Sequence, residues 1–177
     1  MPMVTVIARA IMRMKSKKSK SVQCAVCEIR GPMIEQAYRE LSTRDLLALC
    51  IWRESDNQTY DAMTGVGYVI DNRVKDSGWW GDSIQAVVLH PWQFSSFNHN
   101  DPDSRRWPQD EEPKWLDACK IADDILSGAS TDPTYGATSY YDVSIQPPVW
   151  TESMEFTVQL DKIRFYRKPE KPLGISA

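Results

Sequence analysis

The sequence predicts a single α+β domain, mainly α, with a small β region near its C-terminus. Three observations lead there. Apolar residues recur at helical spacing in the first two-thirds of the folded part, β-favouring runs appear only after Thr131, and 177 residues with 42% apolar and 25% charged composition suit one soluble core. No apolar run approaches the roughly 18 residues that a membrane-spanning helix needs.

Residues 1–32 carry a net charge of +6 and the remainder −9. The segment Lys15-Ser-Lys-Lys-Ser-Lys20 reads as a basic, flexible leader, with Met33 as an alternative start of the folded domain. We therefore expect a leader over 1–32, a domain over 33–167 and a loose tail over 168–177. An acidic body argues against nucleic acid as a partner, since phosphate binding needs clustered Lys and Arg on the folded surface. Cys24-Ala-Val-Cys27 has the spacing of half a zinc site or a redox pair, but no second pair follows at ligand spacing. Cys50 and Cys119 fall on apolar helical stripes and are expected as reduced core thiols.

The first core helix is expected from about Thr43 to Glu54, with Ser42 as its N-cap candidate and Asp45 in the first turn. A second runs from Tyr60 to about Val74, with Met63, Val66, Gly67, Ile70, Arg73 and Val74 recurring at three and four. Its small residues Ala62, Gly65 and Gly67 imply that another backbone packs closely there, and the helix should be central. Ser83 caps a short helix that ends before Pro91. Residues 92–113 lack periodicity and are too long for a simple connector. Pro113 opens a third long helix stopped by Gly128, and extended segments follow at 137–143, 156–160 and 163–166.

One residue breaks the pattern of the first core helix. In Leu46-Leu-Ala-Leu-Cys-Ile-Trp-Arg-Glu54, Glu54 falls at about 80° from Leu46, inside an apolar stripe that spans about 0° to 140°. Burial there would raise its pKa and make it a proton donor near neutral pH; alternatively the helix ends near Trp52 and Glu54 turns into solvent.

Ile51-Trp-Arg-Glu54, Tyr60 and the helix end Val69-Ile-Asp-Asn-Arg-Val74 resemble the SleB-type cell-wall hydrolases, the spore-cortex-lytic family that also occurs as phage endolysins. Counted back from Asn72-Arg73-Val74, Glu54 lands on the first Glu of that family's Gly-Glu-Ala-Arg-Gly-Glu motif. Gln93-Phe94-Ser95, the run from Ala137 to Tyr141 and the closing run from Phe156 to Arg167 match in order.

The resemblance implies a lysozyme-like domain that cleaves the β-1,4 bond between N-acetylmuramic acid and N-acetylglucosamine in peptidoglycan. It further implies lytic transglycosylase chemistry with Glu54 as acid and base, no cofactor and no metal. The chain departs from the motif twice: Gln58 replaces the second Glu and Arg53 the Gly before the first. The loss at 58 favours a single acid, while Asp56 and Asp61 leave hydrolysis open. Ser55, Gln93, Phe94, Ser95, Tyr140 and Tyr141 are the candidate substrate contacts; alternation along a strand sends Tyr140 and Tyr141 to opposite faces, which leaves open which of them reaches the cleft.

Several alternatives remain beside this reading. His90 and His99 with Asp101 or Asp103 would suit a zinc amidase, and Cys50 or Cys119 with His90 a cysteine peptidase, though neither spacing is good and surface histidines are expected. A hydrolytic muramidase is a further enzyme class. A non-catalytic glycan-binding or virion module would use the seven tryptophans as sugar platforms but would not need Glu54. The partner expected is a peptidoglycan glycan strand, met by a monomer. The N-terminal charge order reverses that of a secretory signal, so the expectation is synthesis in the cytoplasm of a host cell, action on the cell wall, and the setting of a phage or prophage endolysin.

Overall fold

The computed structural model describes residues 31–170 with the exception of Ser77, and side chains from Glu35 onward. The basic leader's first thirty residues, with Cys24 and Cys27, lie outside the described residues, as does the tail beyond 170.

Among the described residues five α-helices precede a small sheet: α1 (Gly31–Glu40), α2 (Thr43–Ser55), α3 (Tyr60–Asp76), α4 (Ile84–Val88) and α5 (Pro113–Ser127). The strands are β1 (Ser139–Asp142), β2 (Glu155–Leu160) and β3 (Ile163–Arg167), in the antiparallel order β1-β3-β2. The expected signals act where they stand in the chain. The Ser42 hydroxyl accepts from the Asp45 amide, Ser83 accepts from the Ala86 amide, and Gly128 closes α5 at φ +71°, where a Cβ would be penalised. The segment between α4 and α5 contains two short 3₁₀ turns, Ser95–Phe97 and Pro102–Arg105. No sequence signal announced α1, which begins inside the expected leader and contributes Tyr38 to the core.

The reading of α2 as amphipathic is corrected. Every residue from Leu46 to Arg53 is buried, because α1, α3, α4, α5 and the 3₁₀ turns surround the helix on all sides. The chain therefore has two centres. α2 lies in the larger core, and α3 joins that core to a smaller one in which Ala62, Val66 and Val69 pack against Ala137, Ile163 and Phe165 of the sheet side.

The glycines of α3 are required by this double contact. A Cβ on Gly65 would lie 2.6 Å from Phe165 Cζ, and one on Gly67 would lie 2.7 Å from Ile125 Cδ1. Phe165 is fully buried and cannot withdraw. Gly65→Ala should therefore lose stability despite the better helix propensity of Ala, by about 1 kcal/mol net, and melt a few degrees lower in calorimetry.

A second tie fixes the sheet to the helices. The β2–β3 turn places Asp161 at φ +50°, and its carboxylate accepts the Thr59 amide at the start of α3. Gln58, 3% exposed, donates to Asn57 Oδ1 and Asp142 Oδ2 and accepts the Lys162 amide. Position 58 is thus a buried amide cross-link between the α2–α3 junction, the end of β1 and the β2–β3 turn.

Candidate active site

Glu54 lies in the last turn of α2, half-buried, with both carboxyl oxygens engaged. Ser96 Oγ donates to Oε1 at 2.8 Å and Tyr140 OH donates to Oε2 at 2.8 Å. Burial raises its pKa above the ordinary carboxylate value, and the nearby Asp101 charge acts in the same direction. The two hydroxyl donors and the Arg73 charge oppose this, but desolvation outweighs them. Of the two fates open to Glu54, burial is the one observed.

Each hydroxyl is delivered by a buried arginine. Arg53, 5% exposed, donates to the carbonyls of Ser96, Ser104 and Arg106 and to the Tyr38 hydroxyl. Its guanidinium carbon also lies about 5 Å from the ring centres of Tyr38, Phe97 and Trp107. Arg53 thereby gathers the 95–107 segment and holds Ser96 against its neighbour in sequence, Glu54.

Arg73 does the same for the strand. Its Nε donates to the Thr138 carbonyl at 2.8 Å while Asn72 Nδ2 donates to the Ala137 carbonyl at 3.0 Å, which fixes the approach to β1. Two residues beyond Thr138, Tyr140 then lies against Glu54. Arg73 stacks over Trp80 at 4.4 Å and Phe94 at 5.1 Å, and its Nη1 donates to Gln93 Oε1 at 3.3 Å.

The candidate residues divide accordingly. Glu54, Gln93 and Tyr140 come together around Arg73, while Ser95 is exposed at the start of its 3₁₀ turn. Three others face into the protein. Ser55 is 1% exposed and donates to the Ile51 carbonyl, Phe94 is 2% exposed beneath Arg73, and Tyr141 packs among Trp150 and Tyr166 on the other face of β1. Ser96, Arg53 and Arg73 complete the cluster. Arg73 had a signal, since it recurs on the apolar stripe of α3; Ser96 had none beyond adjacency to Ser95.

The other titratable groups have different surroundings. Asp56 pairs with Arg106, and Asp61 is exposed in the first turn of α3. The Cys50 thiol is fully buried and held well above its usual pKa by burial and then by the Glu54 charge, and Cys119 is pushed up to about 11 by burial; both are free thiols. Among the described residues no group of three His, Cys, Asp or Glu side chains assembles a metal site. No helix among them is long and apolar enough to cross a membrane.

Residues 57–166 match the family described as Cell Wall Hydrolase, which is more than half of the chain. The chain belongs to the cell wall hydrolase family. The match in this cell wall hydrolase takes in α3, the 3₁₀ turns and all three strands, and begins just past Glu54. Two solved structures are similar in fold. The catalytic domain of the germination-specific lytic transglycosylase SleB from Bacillus anthracis shares 22% identity at a TM-score of 0.58, covering 71% of this chain and 93% of that one. The catalytic domain of the Bacillus cereus SleB protein shares 23% identity at a TM-score of 0.58, covering 71% and 89%. No curated protein matches the sequence. The fold is therefore that of the SleB catalytic domain, as expected, and this cell wall hydrolase is an enzyme that degrades peptidoglycan.

Tyr140→Phe separates the roles of the two donors to Glu54 in this cell wall hydrolase. The Tyr140 phenol is itself held protonated, since burial and then the Glu54 charge push its pKa well up. Removing a donor that stabilises the carboxylate should raise the Glu54 pKa further. The alkaline limb of the kcat/KM profile is then expected to move to higher pH, with a lower plateau, on a suspension of purified peptidoglycan.

Proposed function

We propose that the enzyme cleaves the β-1,4 bond between N-acetylmuramic acid and N-acetylglucosamine as a lytic transglycosylase, with Glu54 as its acid and then its base. The observation that carries this reading is one desolvated carboxyl group with a raised pKa, held by two hydroxyl donors. Protonated Glu54 gives its proton to the glycosidic oxygen as the bond to C1 of the muramyl residue breaks. The carboxylate left behind is the species that Ser96 and Tyr140 stabilise. It then takes the proton of the muramyl C6 hydroxyl as that oxygen bonds to C1, closing a 1,6-anhydro ring and consuming no water.

This sequence of steps needs one carboxyl group, whereas hydrolysis of the same bond commonly uses two. Gln58 is an amide locked into the fold, Asp56 is paired with Arg106, and Asp61 lies on the surface. Around Glu54, Gln93 is the side chain best suited to a sugar hydroxyl or acetamido group, with Ser95 at the rim. Ser55, Phe94 and Tyr141 act on this reading as supports for the site.

One observation favours a second reading. Asp101 is the acid whose charge is felt at Glu54, so a hydrolytic muramidase would use Asp101 as its second carboxylate. Mass spectrometry of the muropeptides released from purified peptidoglycan separates the two: 1,6-anhydro ends are expected, and reducing ends would instead establish hydrolysis. Asp101→Asn should leave the rate within a few-fold on the first reading and lower it steeply on the second. A free lactyl carboxyl or a new amine among the products would reject both in favour of an amidase or peptidase.

A further inference from the structure

A cavity adjoins the segment that carries Gln93 and Ser96. It encloses about 310 Å³ between α1 and residues 89–99, and its walls include Glu35, Arg39, Trp92, Asn98 and His99. Tyr38 and Phe97, in edge-to-face contact at 4.9 Å, also line it. Among the described residues, the side chains of Glu35, Arg39, Asn98 and His99 make no hydrogen bond or ion pair, although they border one space. An acid, a guanidinium, an amide and an imidazole thus border an aromatic-walled recess with their polar groups uncommitted.

The backbone at the rim is strained. Trp92 is 75% exposed and sits at φ +67°, a left-handed conformation that a bulky side chain rarely adopts. Folding alone gains little from a strained residue that presents an indole to water. Such outliers persist where their neighbours over-determine them, and they cluster at binding sites. Here the constraint on the next residue is visible, because Gln93 is tied to Arg73 in the catalytic cluster.

The two sites share their wall residue by residue. Gln93 faces the Glu54 cluster while Trp92 borders the cavity, and Ser96 bonds to Glu54 while Phe97 lines the cavity. Arg53 also bonds Tyr38 of the cavity wall and the Ser96 carbonyl at once. Peptidoglycan carries a short peptide on the lactyl group of every muramyl sugar, so a glycan strand lying across Glu54 brings such a peptide within a sugar's width of the cleaved bond. That peptide bears carboxylates and, in its third residue, an amino group. Arg39 complements the former, Glu35 the latter, and Trp92 offers a face to the chain between them.

We propose that this cavity is a subsite for the stem peptide of peptidoglycan, with Arg39 and Glu35 as its charge partners and Trp92 as its platform. The proposal rests on the glycan strand lying across Glu54, as above, and does not depend on whether an anhydro or a reducing end results.

Calorimetric titration of the full-length Glu54→Gln protein tests binding without turnover. The probes are the tripeptides L-Ala-γ-D-Glu-L-Lys and L-Ala-γ-D-Glu-meso-diaminopimelate, with tri-N-acetylchitotriose as an uncharged, peptide-free control. At least one tripeptide should bind, and Arg39→Ala or Trp92→Ala in the same background should weaken it about tenfold without changing the response to the sugar. Failure of both tripeptides to bind at millimolar concentration, or binding indifferent to both substitutions, overturns the proposal. In the active enzyme, Arg39→Ala should lower kcat/KM about tenfold on peptide-bearing strands and leave it unchanged on strands stripped of peptide by an amidase. Equal losses on both substrates would also overturn it. A wrong bond assignment would appear only in the product spectrum and leave these titrations as they are.

Discussion

Glu54→Gln is expected to lower the rate of muropeptide release from purified peptidoglycan by roughly 10²–10⁴-fold, the usual contribution of general acid–base catalysis. The amide keeps the shape, its oxygen accepts from one of the Ser96 and Tyr140 hydroxyls and its NH2 group donates to the other, so the loss should fall on kcat while substrate binding persists. The same substitution is expected to stabilise the fold. Burial raises the Glu54 pKa above 4.5, so the folded chain retains a proton that the unfolded chain has released over that interval. Stability from this group is complete below about pH 4.5 and declines as pH rises through the higher folded value. Melting curves of the two proteins should therefore coincide near pH 4 and separate above neutrality, with the variant melting higher. A variant that melts lower at pH 8 would mean that the carboxylate's hydrogen bonds outweigh its desolvation.

Arg53→Ala is the second large effect, and it falls on stability. The guanidinium serves the carbonyls of Ser96, Ser104 and Arg106 together with the hydroxyl of Tyr38, which belongs to the larger core. Each buried acceptor left without a donor costs about 1–3 kcal/mol, less where water can enter. A total loss of roughly 3–5 kcal/mol is expected, a large share of the roughly 5–15 kcal/mol that holds a typical domain folded. Urea titration followed by tryptophan fluorescence should show a lower midpoint at an unchanged slope. Arg53→Lys should recover only a fraction of this, because an ammonium group cannot present a planar fork to three carbonyls. A stability within about 1 kcal/mol of the wild type would show that the 95–107 segment holds its path without the arginine.

The contrast between these two positions explains what the sequence made legible. Glu54 could be found because an acid interrupted an apolar run and a motif fixed its register, while the helices of 43–55 and 113–127 carried start or stop signals and that of 60–76 a recurrence at three and four. Arg53 carried the opposite message. A charged residue on a helix reads as solvent-facing, and only the tertiary arrangement shows carbonyls from a distant segment converging on it. Ser96 escaped for a related reason, since an aperiodic segment has no repeat by which one serine can be told from the next. Alternation established that Tyr140 and Tyr141 diverge, but the choice of face is made by the contacts of Arg73 and Asn72 with the residues leading into β1. α1 gave no signal because its anchor in the core is mainly one side chain, Tyr38, whose partners lie up to 69 positions away.

The two hydroxyls on Glu54 come from 42 and 86 positions further along the chain. Closing loops of that size is among the costly and therefore late events of folding. Until both have closed, Glu54 sits at the end of a helix in contact with water and behaves as an ordinary, ionised glutamate. The raised pKa of Glu54 thus depends on the docking of both the 3₁₀ turn and the first strand, which bury it. On the proposed mechanism, a nascent chain emerging from the ribosome, or one that has partly come apart, carries every residue of the site and has no carboxyl group that stays protonated near neutral pH.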